Sequence, residues 1–128
     1  MKKFHNKTLT IKEDTYNIPV TLIIGDYSYY DKKVANKFNI ERSEQKNFGA
    51  ETRWVKANNG GEIIIWMPRI DFTSANYGTL AHELLHATFL IMENIGFKFD
   101  YNNTEPINYL FDSLMTNTLW QLVKKGRK

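Results

Sequence analysis

The sequence contains no cysteine. That excludes disulfides, thiolate-held zinc, iron–sulfur clusters and a thiol nucleophile. Histidine is scarce too: His5, His82 and His86 are the only three, so a transition metal must be held by these and by Asp or Glu. Long apolar runs are missing. The longest unbroken one, residues 63–67, is far too short to span a bilayer. Met1-Lys2-Lys3 is followed by His5, Asn6 and Lys7 rather than an apolar stretch, so no signal peptide is expected. There is no internal repeat, low-complexity segment or linker. The expectation is a soluble cytoplasmic protein with no membrane contact.

What is present suits a globular chain. Hydrophobic residues make up 42% and aromatics 14%, enough to bury a core, and charged residues make up 24%, near the globular average. At 128 residues, a single domain over residues 1–128 is expected. The net charge of +3 owes much to the tail Lys124-Lys125-Gly126-Arg127-Lys128. We read residues 124–128 as a frayed, solvated end that complements the negative pole of the last helix. Contact with nucleic acid is the competing reading, but no nucleic-acid motif supports it.

Residues 8–11 alternate as a strand does, Glu13-Asp14-Thr15 reads as a turn, and residues 16–25 read as a second strand with Val20, Leu22 and Ile24 on one face. Tyr30, Val34 and Phe38 stand four apart, predicting a helix capped by Asp26 or Ser28. Residues 41–48 are polar and read as a loop. A hairpin follows: strand 51–56, the turn Asn58-Asn59-Gly60-Gly61, and strand 62–67 ended by Pro68. Thr73 or Ser74 can cap a helix running to about Ile95, with Gly96 as terminator. That helix is apolar on nearly every side, which predicts burial of most of its surface. Thr104 can cap a last helix that tolerates Pro106 in its first turn, and Ile107, Leu110, Phe111, Leu114, Met115, Leu119 and Leu122 form its core stripe. Strands followed by two long helices predict an α+β fold, a small antiparallel or mixed sheet packed on these helices.

Against this apolar background, His82-Glu83-Leu84-Leu85-His86 is the segment that carries chemistry. On a helix, positions i and i+4 share a face about 6 Å apart, so both imidazoles can reach one zinc ion. Glu83, next to the first histidine, can take a proton from water activated at the metal and hand it to a leaving amine. The bland alternative is two satisfied core histidines and a surface acid.

A catalytic zinc wants a third protein ligand. His5 could reach back from the N-terminus. Glu93 lies seven residues beyond His86, about 10 Å along the axis, too far for the same ion. Asp100, Glu105 and Asp112 are the other candidates. We favour Glu105, which opens the next helix after a loop long enough to fold it back antiparallel; otherwise it is an acid that complements the helix dipole. Glu105, Tyr109 and Asp112 share a face opposite Ile107, Leu110 and Leu114. Turned onto the histidines, that face would let Asp112 orient an imidazole. Tyr109, Tyr77 or Tyr101 could then donate to an oxyanion. Turned outward, it is a solvated polar face.

These residues resemble the gluzincin metallopeptidases, whose H-E-x-x-H is followed, after a loop, by a glutamate on a second helix. Eighteen residues separate His86 from Glu105, similar to the aminopeptidase branch. Residues 79–88 and 103–110 also resemble small predicted peptidases encoded by phages and prophages. The resemblance covers about residues 75–120. It implies a minimal zincin-like domain holding one Zn2+ per chain, with His82, His86 and Glu105 as ligands and Glu83 as general base. It further implies that strand 62–67 is the edge strand that pairs with an extended peptide, although its Ile63-Ile64-Ile65 run also permits an interior position. The location implied is a host cytoplasm or a virion. Three features depart from the pattern. Tyr109 stands where gluzincins have aspartate, Pro106 follows Glu105 directly, and the chain is too short for a second domain. Phe89 and Met92 replace the glycine and third histidine of a metzincin.

The reading is a zinc peptidase acting on a peptide or protein. The alternative is a zincin-like protein without activity that serves as a structural or interaction module, such as one in a phage particle.

Overall fold

The structure, a computed structural model, describes residues 6–13, 15–38, 49–57, 60–71 and 73–125. His5, Asp14, the loop 41–48, Asn58, Asn59 and residues 126–128 of the basic tail lie outside the described residues. The elements run β1 (Lys7–Ile11), β2 (Val20–Ile24), α1 (Tyr27–Phe38), β3 (Glu51–Ala57), β4 (Gly60–Met67), α2 (Ser74–Asn94) and α3 (Glu105–Lys125). The fold is α+β. No helix among the described residues is long and apolar enough to cross a membrane.

The sheet order is β1-β2-β4-β3. β1 and β2 form an antiparallel hairpin with Ile11 opposite Val20. β2 lies parallel to β4, and β3 is antiparallel to β4 with Ala57 opposite Gly60. Two expectations change here. β2 begins at Val20, not Tyr16, because Asn17 adopts a left-handed φ of 56° and Pro19 has no N–H for the ladder. And β4 is interior, not the edge: the edge beside it is β3. The cause is Ile63-Ile64-Ile65. All three are buried, on alternating faces of the sheet, and a strand buried on both faces belongs in the middle.

The two sheet faces collect different partners. Val20, Leu22, Ile24, Ile63, Ile65 and Met67 join Leu80, Leu84, Ala87 and Ile91 of α2 and Leu110 and Leu114 of α3 in the main core. Each fully buried Leu or Ile there stabilises by about 1.5–3 kcal/mol relative to exposure. On the other face, Ile23, Val55, Ile64 and Trp66 pack against Tyr30 and Val34 of α1. Tyr30 and Trp66 stack with centroids 5.2 Å apart. Buried Glu62 does not stand alone on this face: Thr21 Oγ1 and Lys37 Nζ each donate to its Oε2 at 2.6 Å.

Helix ends follow the local chemistry. Asp26 Oδ1 accepts the Tyr29 N–H at 2.8 Å, so Asp26 rather than Ser28 caps α1. Thr73 caps α2 by accepting the Asn76 N–H. At the other end Gly96 takes φ 78°, with Gly96 N–H bonded to the Glu93 carbonyl and Phe97 N–H to the Met92 carbonyl. This paired closure needs a left-handed residue, which glycine supplies without strain. α3 starts at Glu105, its Asn108 N–H bonded to the Thr104 carbonyl. Its apolar stripe faces the core, and Asn117 and Gln121 donate to the Lys12 and Thr10 carbonyls, tying α3 to edge strand β1 and the residue that follows it.

Candidate metal centre

Residues 82 and 83 are neighbours in α2, but successive helical side chains point about 100° apart. The sheet lies on one side of α2 and solvent on the other. His82 therefore points outward, its side chain 67% exposed, while Glu83 points inward, its side chain 7% exposed. His86, one turn on, is exposed beside His82. The prediction that α2 is buried on most of its surface fails along this stripe: Leu85 is 40% and Phe89 47% exposed, flanking the histidines. The inner side is as expected, with Leu80, Leu84, Ala87 and Ile91 buried.

The two imidazoles converge. His82 Nε2 and His86 Nε2 are 3.1 Å apart, with ring planes at 76°. Two nitrogens bound tetrahedrally to one zinc at about 2.0–2.1 Å stand roughly 3.3–3.4 Å apart. The observed spacing fits that requirement within a few tenths of an ångström. The same contact serves as an N–H···N hydrogen bond between imidazoles of suitable tautomers.

Glu83 is held from below. Thr52 Oγ1, on edge strand β3, donates to Glu83 Oε1 at 2.7 Å and lies 3.1 Å from the Glu83 carbonyl oxygen. With Oε1 occupied, Oε2 stands 3.9 Å from His82 Nε2. The carboxylate is thus hydrogen-bonded to the sheet through Oε1, and its free oxygen faces His82 at a distance longer than a hydrogen bond. Thr52 went unrecognised in the sequence. The alternation of β3 puts Thr52 and Trp54 on one face and Glu51, Arg53 and Val55 on the other, but only the strand order shows which face meets α2.

The other candidates are dispersed. Glu105 is at the first position of α3, and it, Tyr109 and Asp112 are exposed, Tyr109 by 71%. The α3 face turned inward is the apolar one. Tyr77 is 36% exposed on α2, and Tyr101 is 90% exposed in the connection between α2 and α3. Among the described residues no three His, Asp or Glu side chains are grouped to hold one metal ion, so Glu105 is not gathered with the two imidazoles in this arrangement. Comparison with family models, with curated proteins and with solved structures finds no match to this chain.

Proposed function

We propose that the protein is a zinc-dependent peptidase that hydrolyses a peptide bond with water as nucleophile and Glu83 as general base. The observation that carries this reading is the convergence of His82 Nε2 and His86 Nε2 at 3.1 Å, with a buried, Thr52-anchored Glu83 beside them. His82 and His86 would hold the ion. Glu105 is the proposed third ligand, which requires its carboxylate to move towards the imidazoles when metal binds. Bound zinc supplies Lewis acidity, polarising a carbonyl oxygen and acidifying water. Glu83 Oε2 takes the proton from the attacking water and passes it to the departing amine. Thr52 keeps Oε1 engaged so that Oε2 stays on the histidine side. The peptide pairs with β3, the strand beside α2 that forms an edge of the sheet among the described residues. Tyr77, Tyr101, Tyr109 and Asp112 are candidates for oxyanion and imidazole contacts once substrate is bound.

Elemental mass spectrometry of untagged protein tests the site: we expect one zinc per chain, lost in His82→Ala. Glu83→Gln should keep the metal and abolish hydrolysis. Full activity in that variant would sink the proposal.

A second reading, an interaction module without catalysis, draws on the exposed Tyr101, Tyr109 and Trp120, at 90%, 71% and 63%. It predicts metal binding that Glu83→Gln leaves unchanged and no hydrolysis by the parent chain.

A further inference from the structure

The histidine stripe of α2 does not end at His86. Phe89 follows three residues later on the same side, about 4.5 Å further along the axis. There it forms one wall of a cavity of about 410 Å3. Met92, Phe97, Phe99 and Ile107 complete the apolar lining, and Glu93 and Lys98 add charges of opposite sign. We propose that this cavity receives a large apolar side chain of the substrate, of the Phe, Tyr, Leu or Met kind, and so sets the cleavage specificity. The proposal rests on the peptidase reading and names its substrate class.

Three observations converge. The first is position. The lining residues of α2 begin one turn beyond His86, within one to a few residues of an extended peptide at about 3.3 Å each. A chain reacting at the histidines can place a neighbouring side chain in the cavity. The second is construction. The floor is fixed: Met92 and Ile107 are 3% and 7% exposed, and the Phe97 N–H is bonded to the Met92 carbonyl. The walls are not covered: Phe89 is 47% and Phe99 59% exposed. Grouped aromatic surface left in water beside a reactive site marks a place of contact. The third is chemistry. The lining is dominated by carbon and sulfur, so it rewards apolar area and offers a charged side chain little compensation for lost water. Glu93 and Lys98 roughly cancel, so the surroundings carry no net charge that would select an acidic or basic peptide.

A quenched-fluorescence peptide library, cleaved by the zinc-loaded protein, tests this. We expect kcat/KM at least about tenfold higher for Phe, Leu or Met than for Ala at one fixed position near the scissile bond. In Phe99→Ala, whose exposed ring can be removed without opening the core, that ratio should fall to about twofold. Cleavage indifferent to side-chain size at every position overturns the proposal, as does a preference that Phe99→Ala leaves intact. A binding measurement separates failure of the pocket from failure of the peptidase reading. In zinc-loaded Glu83→Gln, N-acetyl-phenylalaninamide should shift the backbone amide resonances of residues 89–99 saturably and more strongly than N-acetyl-alaninamide. If the parent chain cleaves no peptide, the peptidase reading falls and this titration alone judges the cavity; no shift there overturns it.

Discussion

Glu83 is buried, and a buried carboxylate is tolerated only when something donates to it. Thr52 does so from a different element, 31 positions away. Replacing Thr52 with valine keeps the shape and removes the donor. The carboxylate then loses its anchor, at a cost of about 1–3 kcal/mol for the unsatisfied group. We expect a melting temperature several degrees lower, unchanged zinc content and kcat/KM reduced about tenfold or more. Thr52→Ser, which retains the hydroxyl, should recover most of the rate. A thermal scan, elemental analysis and steady-state kinetics on both variants check this. Lower stability with normal kcat/KM would make Thr52 structural only. The histidine pair and Glu83 were legible in the sequence because their spacing is local to one helix. Thr52 was not, because its role depends on which strand lies under α2, a non-local fact. The gathering of Glu105 with the histidines was inferred from loop length and from the gluzincin-like spacing, and the described residues do not bring it there.

At the scale of elements, what was legible follows the range of the interactions involved. Thr73 and Gly96 bound α2 within a residue of expectation, since capping is decided by a few neighbouring atoms. The hairpin around Gly60 and Gly61 was equally local; Gly61 also leaves room for the Trp54 ring, which any Cβ there would strike. Strand order was not local. β4 is central because Ile63, Ile64 and Ile65 need cover on both faces, and α1 provides it on one side. That helix docks through Tyr30, which is 1% exposed and donates to Glu51 Oε2 at 2.6 Å. Burial, helped by this hydrogen bond, pushes the Tyr30 phenol well above its usual value of about 10. The folded chain therefore keeps a proton that the unfolded chain releases above that value. Stability from this group is fully present below about pH 10 and falls as pH rises beyond it, by up to roughly 1.4 kcal/mol per pH unit. Urea unfolding between pH 9 and 11 should show this slope in the parent chain and lose it in Tyr30→Phe. Parallel slopes would mean that α1 docks without ordering the phenol.

For the whole molecule, the placement of the histidines decides how metal and folding are coupled. Zinc fingers unfold without metal because the ion replaces a core. Here the main core lies on the inner side of α2, and His82 and His86 stand exposed on the outer side, apart from that core among the described residues. The zinc-free chain should accordingly be folded by circular dichroism. Added zinc should raise its melting temperature by mass action, about 2.7 kcal/mol at a hundredfold excess over Kd. A chelator should reverse the rise, and acidification should weaken it as protons compete for the imidazoles. His82→Ala and His86→Ala should abolish the rise while leaving the zinc-free melting point nearly unchanged. Glu105→Gln then separates two roles that the start of α3 allows. As an acid complementing the helix dipole, Glu105 stabilises by about 0.3–1 kcal/mol with or without zinc. As the third ligand, it affects only the zinc-induced increment. A loss confined to that increment assigns Glu105 to the metal, whereas an equal loss in both states leaves it a helix-start acid and sends the search for the third ligand elsewhere in the chain.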